Sequence, residues 1–401
     1  LKQSRVTSWT FIRLYGLAFL FFSANSMLAV LVPLRSEALG ASNATIGWIM
    51  GAYMLTCMFF RPLAGKVIQR HGASRVLRIL LLVNGFALLL YPLAGLSGFL
   101  AARLLQGIAT AFFSMALQIA IIDSLPDEER SQGVSLYSLF TYMPGIIGPV
   151  LALSLWDWGD RNAFFAVMVV IAAGTALFGF TTPVRSNGYP ANGGDKQSEK
   201  KRQAAEDGIW RSFGRVITIA PLALCTWLML GTSVVFGAVT VFIPLYAAEI
   251  AYGHAGLYMM IQAAVIVAAR FALRKRIPSD GRWRPRFIQG MVILAGIAAL
   301  LLAAAGSVGP IAFYASAFMM GAAQALLYPS LTTYLTFALP RASRNVLLGL
   351  FIASADLGIS LGGLVMGPVA DRLSYSGMYG VCALLLLALI GVEKRYRIRV
   401  R

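Results

Sequence analysis

Charge is what this sequence has least of. Asp, Glu, Lys and Arg together make up 12% of its 401 residues, about half the share of an ordinary soluble domain. Acids are scarcer still, 16 against 34 Lys and Arg. A chain that poor in charge cannot cover a globule of its length with a hydrated shell, so a soluble fold is excluded. Histidine occurs twice, as His71 and His254, far apart and at the ends of apolar runs. The three cysteines, Cys57, Cys225 and Cys382, each lie inside an apolar run without metal or redox spacing and read as packing residues. No zinc, heme or catalytic-triad pattern is present, and no metal site or enzymatic activity is expected. The phosphate-cradling loop G-x-x-x-x-G-K-[ST] is also missing, so ATP is not the expected energy source and no cofactor is implied.

What the chain has instead is apolar length. Hydrophobic residues make up 58%, distributed in about twelve runs of the roughly 20 residues that span a bilayer. Such runs must be helices, because an isolated lipid-exposed strand leaves its backbone polar groups unsatisfied in hydrocarbon. The first run is too long for a cleavable signal and lacks a cleavage site, so it is expected to remain as a helix. The net charge of +18 suggests nucleic acid, but its distribution points elsewhere. With alternate loops assigned to one side, starting from the N-terminus, 30 of the 34 Lys and Arg fall there, the exceptions being Arg35, Arg103, Arg161 and Arg372. That is the positive-inside pattern, which predicts a multi-pass protein of the cytoplasmic membrane with both termini cytoplasmic. The partner implied is a lipid bilayer and not a nucleic acid, since no soluble domain carries a basic face.

One polar stretch interrupts the apolar runs. Residues 185–215, containing SNGYPANGGDKQSEKKRQAAEDG, read as a flexible linker. It separates a first six-helix half, residues 1–184, from a second, residues 216–401. The halves repeat each other. FRPLAGKVIQRHGASRVLR at 60–78 has an echo in ARFALRKRIPSDGRWRPR at 269–286, so that Arg61 answers to Arg270, Gly72 to Gly281 and Arg75 to Arg284. Val32-Pro33-Leu34 recurs as Ile243-Pro244-Leu245, Pro126 and Arg130 as Pro340 and Arg344, and Gly148-Pro149 lies opposite Gly362-Gly363. The expected fold is therefore all-α, with twelve transmembrane helices in two homologous halves and a substrate site between them.

The chain resembles the major facilitator superfamily of transporters over nearly its whole length. The hairpin around Gly65 and Gly72 is similar to that family's gating loop between its second and third helices. Gln69 stands where the family has an acid and Ala73 where it has an arginine, which leaves Arg75 or Arg70 as partners for Asp123 at the inner end of the fourth helix. Arg103-Leu104-Leu105-Gln106-Gly107 resembles the fourth-helix motif R-x-x-Q-G of the antiporter branch. Gly145-Ile146-Ile147-Gly148-Pro149 resembles its fifth-helix motif, with the first glycine displaced and the last two replaced by Leu151 and Ala152. Met50–Thr56, Ile277–Gly281 and LGLFIASADLGISLGG at 348–363 are similar to exporters of nicotianamine-like opine metallophores, the staphylopine type. The resemblance implies a monomeric, proton-coupled exporter with a small zwitterionic metallophore as its substrate.

From the residues themselves, Asp356 is the one acid deep in an apolar run. A charge there is costly unless paired or hydrated, which makes it a candidate for carrying a proton, binding a substrate amine or holding helices together. Arg103 is its positive counterpart, with Gln106, Gly107, Thr110, Ser114 and Gln118 continuing its stripe at helical spacing. The resemblance implies a proton-coupling role for Arg103. Charge alone allows equally a fork on a substrate carboxylate or a packing role. Asn25, Tyr53, Tyr137, Tyr142, Gln262, Gln324 and Tyr328 complete the substrate-binding candidates, and Ser360, Gly363 and Gly367 form a small-residue face that lines a cavity or permits close packing. A lone acid beside an arginine, among amides and hydroxyls, suits a polar ligand of both charge signs. A multidrug antiporter, a proton-coupled importer and a non-transporting membrane sensor or scaffold are the alternative readings.

Overall fold

The computed structural model describes residues 8–93, 95–159, 161–181, 219–272, 281–340 and 344–400. The expected linker, 185–215, and residues 277–280 of the second hairpin lie outside them. Among the described residues the chain forms only helices: α1 Trp9–Ala38, α2 Asn43–His71, α3 Ala73–Leu93, α4 Leu96–Ser124, α5 Asp127–Tyr142, α6 Pro144–Asp157, α7 Arg161–Thr181, α8 Ala220–Glu249, α9 Ala255–Ala272, α10 Pro285–Val308, α11 Pro310–Ala338 and α12 Arg344–Val400.

Among the described residues eleven spans are long and apolar enough to cross a membrane, where the sequence predicts twelve. The difference lies at the last two. Leu347–Arg395 runs for 49 residues, about 74 Å at 1.5 Å per residue, and Ser374 at φ 67 and ψ 172 breaks the helical conformation inside it. Conversely, α5 and α6 form one span, Leu136–Asp157. Pro144 has no N–H for the helical ladder, so the two are separated only at Met143, which keeps helical φ and ψ.

Exposed apolar side chains identify the rim. Ile79, Leu82 and Phe86 on α3, and Ile293, Ile297 and Leu300 on α10, recur every three or four residues on one face of each helix, as lipid-facing stripes do. At the centre, α8 is 89% buried across its apolar window, against 22% for α7. The hairpin glycines Gly72 and Gly281, equivalent in the repeat, both have left-handed φ, 82° and 68°, which a side chain would strain.

The halves meet through backbone contact. A Cβ on Gly47 of α2 would come 2.1 Å from the Gly363 carbonyl oxygen of α12, and one on Gly51 would come 2.8 Å from that of Ser360. Ser360 Oγ donates to the Gly51 carbonyl at 2.8 Å. The small face of α12 is thus a packing face against α2, while Gly358 and Gly362 face Leu230 and Val234 of α8. At the end of the bundle away from the termini, Asp371 of α12 accepts from the backbone N–H groups of Asn43 and Ala44, each at 2.9 Å. It caps the start of a helix in the other half. Tyr375 Oη donates to Asn43 Oδ1 at 2.7 Å beside it.

Toward the termini the same faces part. Gly65 lies 14 residues beyond Gly51, and Gly349 lies 14 before Gly363. A Cβ on either would meet nothing within 4 Å. The core divides likewise. One apolar cluster, including Phe11, Leu17, Ile68, Leu77 and Phe113, draws only on the first half, the largest joins Ala24–Leu34 of α1 and other first-half residues to the second half, and a small one, Ile266, Ala325 and Leu326, lies within the second. The described arrangement is clenched at the end opposite the termini and splayed at the terminal end.

Gly47→Val is expected to overpack this seam at a cost of about 1–3 kcal/mol. Gly65→Val adds the same atoms on the open side and is expected to cost little. Thermal unfolding of the two variants in detergent, followed by intrinsic fluorescence, should show a clear drop in midpoint only for Gly47→Val.

Candidate functional site

Below the glycine seam, α2 and α12 bring opposite charges together. Arg61 Nη2 lies 3.3 Å from Asp356 Oδ2, an ion pair across the two halves. It joins a side chain one-third exposed to one only 11% exposed. The pair lacks the alignment of a hydrogen bond, and Asp356 Oδ2 and Arg61 Nε are buried without a hydrogen-bond partner. Arg61 Nη2 also donates to Cys57 Sγ, one turn back on its own helix, at 3.4 Å.

A second arginine crosses the seam on the other side. Arg270 of α9 donates from Nη2 to Tyr142 Oη of α5 at 3.2 Å, with its guanidinium 4.4 Å from the centre of that ring. Tyr328 of α11 stands within electrostatic reach of Tyr142, Asp356 and Arg61 together, and its ring stacks on Phe351 at 6.2 Å. Tyr137 of α5 is close enough to interact with Arg61 and Tyr142, and its hydroxyl donates to the Ser114 carbonyl at 3.4 Å. Four of the expected site residues, Tyr137, Tyr142, Tyr328 and Asp356, therefore gather around two arginines at the junction of the halves.

Arg103 is not among them. Its guanidinium donates to Asn25 Oδ1 at 3.1 Å, to the Leu28 carbonyl at 2.8 Å and to Met50 Sδ at 3.3 Å, all in the first half. It also lies 5.6 Å from the Tyr53 ring centre and 5.8 Å from that of Tyr91. Asn25 Nδ2 donates to Tyr53 Oη, which donates to Thr110 Oγ1, both at 3.0 Å. Tyr91 Oη donates to Gln106 Oε1 at 2.5 Å. Arg103 and Gln106 are each 2% exposed. Gly107 explains the burial, since a Cβ there would come 2.5 Å from the Tyr53 carbonyl oxygen. The polar stripe of α4 is pressed against α2, and the contact between Arg103 and Asp356 that the sequence leaves open is not made, Asp356 pairing with Arg61 instead. Gln262 donates to Gln324 Oε1 at 3.2 Å, a link between α9 and α11 inside the second half.

Of the expected gating residues, Gly72 ends α2, Arg75 is exposed and Gly65 faces open space. The side chains of Gln69 and Asp123 lie outside the described residues. Arg61 and Arg270 were legible in the sequence only as repeat equivalents. Grouped with the basic hairpins, they lost the signal that would have marked them. Each stands 11 residues before its hairpin glycine, which for Arg61 is about 16 Å up α2 at 1.5 Å per residue.

The family model described as the Major Facilitator Superfamily matches residues 14–307. The chain belongs to the major facilitator superfamily. It is 46% identical over 383 residues to the staphylopine export protein of Staphylococcus aureus (strain Mu50 / ATCC 700699), covering 96% of this chain and 95% of that one. An uncharacterized MFS-type transporter of Burkholderia mallei (strain SAVP1) is 25% identical over 94% of this chain and 87% of its own length. Among solved structures, a POT family transporter in complex with a thioalcohol-conjugated peptide superposes with a TM-score of 0.74 at 10% identity, covering 97% of this chain and 96% of that one. A bacterial homolog of the lysosomal transporter Spinster, inward-facing and occupied, gives 0.73 at 11% identity, covering 96% and 95%. These structural likenesses concern the fold. Superfamily membership makes the chain a multi-pass secondary transporter and not an enzyme.

Arg103→Ala should leave Asn25 Oδ1 without its donor and strip the Leu28 carbonyl of its second one, at about 1–3 kcal/mol for the orphaned amide oxygen. Arg103→Lys should recover only part of that loss, because an ammonium cannot serve these separated acceptors as a planar fork does. Thermal unfolding in detergent is expected to rank wild type above Lys and Lys above Ala.

Proposed function

We propose that this protein is a proton-coupled exporter of a small zwitterionic opine-type metallophore, working by alternating access. The observation that carries the mechanism is the Arg61–Asp356 pair. It is a carboxylate in the membrane interior, joined to the other half of the molecule at 3.3 Å with one oxygen unsatisfied by any hydrogen bond. Support for the substrate class comes from the 46% identity to a staphylopine export protein over nearly the full length of both chains.

The mechanism follows from the charges. Ionised, Asp356 attracts Arg61 and its bond spans the seam. A proton on Asp356 removes that attraction, frees the guanidinium and lets the halves rock. A substrate amine competing for the carboxylate, or a substrate carboxylate competing for Arg61, would couple loading to the same bond. Arg103 with Asn25 and Tyr53, and Gln106 with Tyr91, then hold helices α1–α4 together as one moving body. Gln262 and Gln324 do so for α9 and α11, while Tyr137, Tyr142 and Tyr328 supply hydroxyls to the site.

In the finer architecture we favour, α12 counts as two crossings divided at Ser374, giving twelve in all. The halves are 1–184 and 216–401, joined by a linker at 185–215. The positive-inside bias supports cytoplasmic termini in the cell membrane, which makes the splayed end the cytoplasmic one and the described arrangement ready to load from inside. Gly65, Gln69, Gly72, Arg75 and Asp123 belong to the gating loop at that face. The working unit is a monomer, since each copy contains both halves of the site.

The test is metallophore partition. The gene is deleted under metal starvation, and opine metallophore is measured by mass spectrometry in cells and medium, with wild-type and Asp356→Asn complementation. The expected result is retention inside the deletion strain, reversed by wild type and not by Asp356→Asn. Rescue by both would keep export but remove Asp356 as the proton carrier. Unchanged secretion would reject the metallophore assignment and bring the multidrug antiporter to first place.

A further inference from the structure

The two bridges across the seam are copies of one another. An offset of 209 residues relates Arg61 to Arg270, as it relates Gly72 to Gly281. An offset of 214 relates Pro126 to Pro340, Arg130 to Arg344 and Gly148 to Gly362, and it also relates Tyr142 to Asp356. Each bridge thus runs from an arginine on the second crossing of one half to the same repeat position on the fifth crossing of the other. At one bridge the acceptor is a carboxylate, at the other a tyrosine.

That difference leaves a charge imbalance. An arginine keeps its proton at any physiological pH, and in a membrane interior it calls for an anion. Among the described residues no carboxylate lies within 4 Å of Arg270, and Asp356 is already taken by Arg61. Arg270 has only the Tyr142 hydroxyl and ring face, and its Nε is buried without an acceptor. Even with Asp356 ionised, the cluster of Arg61, Arg270 and Asp356 carries one surplus positive charge. Tyr142 is itself 40% exposed, so the arginine is held where a ligand between the halves can reach it.

We propose that Arg270, oriented by Tyr142, is the receptor for a substrate carboxylate, occupying the place where the other copy of the repeat has its own aspartate. The ligand class is a small carboxylic acid that presents its anion to α9 and leaves Asp356 free for the proton or for a ligand amine. A guanidinium has five N–H donors, and the tyrosine hydroxyl at Nη2 takes one of them, so others are left for a charge-assisted hydrogen bond. The inference rests on the export reading above for the identity of the acid.

The experiment measures equilibrium binding to the full chain purified in detergent, using staphylopine and its methyl esters, in which the carboxylates are masked in turn. Wild type is expected to bind the free acid about tenfold or more tighter than at least one ester, the size of a lost charge-assisted bond. Arg270→Gln should abolish that preference, binding acid and ester alike, and Arg270→Lys should retain part of it. The proposal is overturned if Arg270→Gln keeps the wild-type preference, or if it weakens acid and ester by the same factor, as a structural residue would. Should the Gln variant fail to yield folded protein, Arg270→Lys decides, because a wild-type preference in it rejects the fork. Wild type binding neither compound overturns the substrate reading and this inference together, a failure in which no variant plays a part.

Discussion

The approach of two backbones at Gly47 and Gly363 is the constraint on which the site depends. With hydrogen as the only side chain on each, α2 and α12 come close enough for a hydroxyl of one to bond a carbonyl of the other. Further along the same helices, that proximity places Arg61 beside Asp356. Charge in a membrane interior is tolerated only when paired or wetted, and here the pairing is available only while the two halves lie together. The ion pair is a consequence of the seam as well as a bond across it.

The polar groups of the chain fall into two kinds. Those around Arg103 are buried and donate to acceptors in the same half, so they move as a unit and stiffen it. Those around Asp356 draw on both halves, and buried atoms without a hydrogen-bond partner occur in both kinds, Asp356 Oδ2 and the Nε of Arg61 and Arg270 here and Arg103 Nε there. A body bonded within itself, meeting another across a seam whose bonds span both halves, is the mechanical arrangement that rocking requires. The capping of α2 by Asp371 at the far end adds two charge-assisted bonds that belong to the clenched state.

Much of this was legible in the residues. The apolar runs gave the spans, and the doubled hairpin gave the two halves, because hydrocarbon thickness and backbone satisfaction leave a chain of this composition few alternatives. Asp356 stood out as the one deep acid for the same reason. Its partner did not. Arg103 stood out as the matching positive charge, on a stripe with Gln106, Thr110 and Ser114 that could face water or protein. The same pattern is produced by a face turned to a neighbouring helix, and Gly107 against the Tyr53 carbonyl shows that this is what it is. Arg61 was hidden, since an arginine near a basic loop reads as part of the loop until the helix is seen to run on to His71.

By itself, then, the sequence determined the material and the symmetry: a membrane-spanning helical chain, built twice, with one acid, Asp356, deep in an apolar run and cations weighted to one face. Only the tertiary structure decided which charges meet. Pairing across the halves depends on rotation and depth of helices separated by almost 300 residues, from Arg61 to Asp356. Those quantities are set by where glycine lets backbones touch and by how far the bundle splays, and neither is written in the periodicity of any one helix.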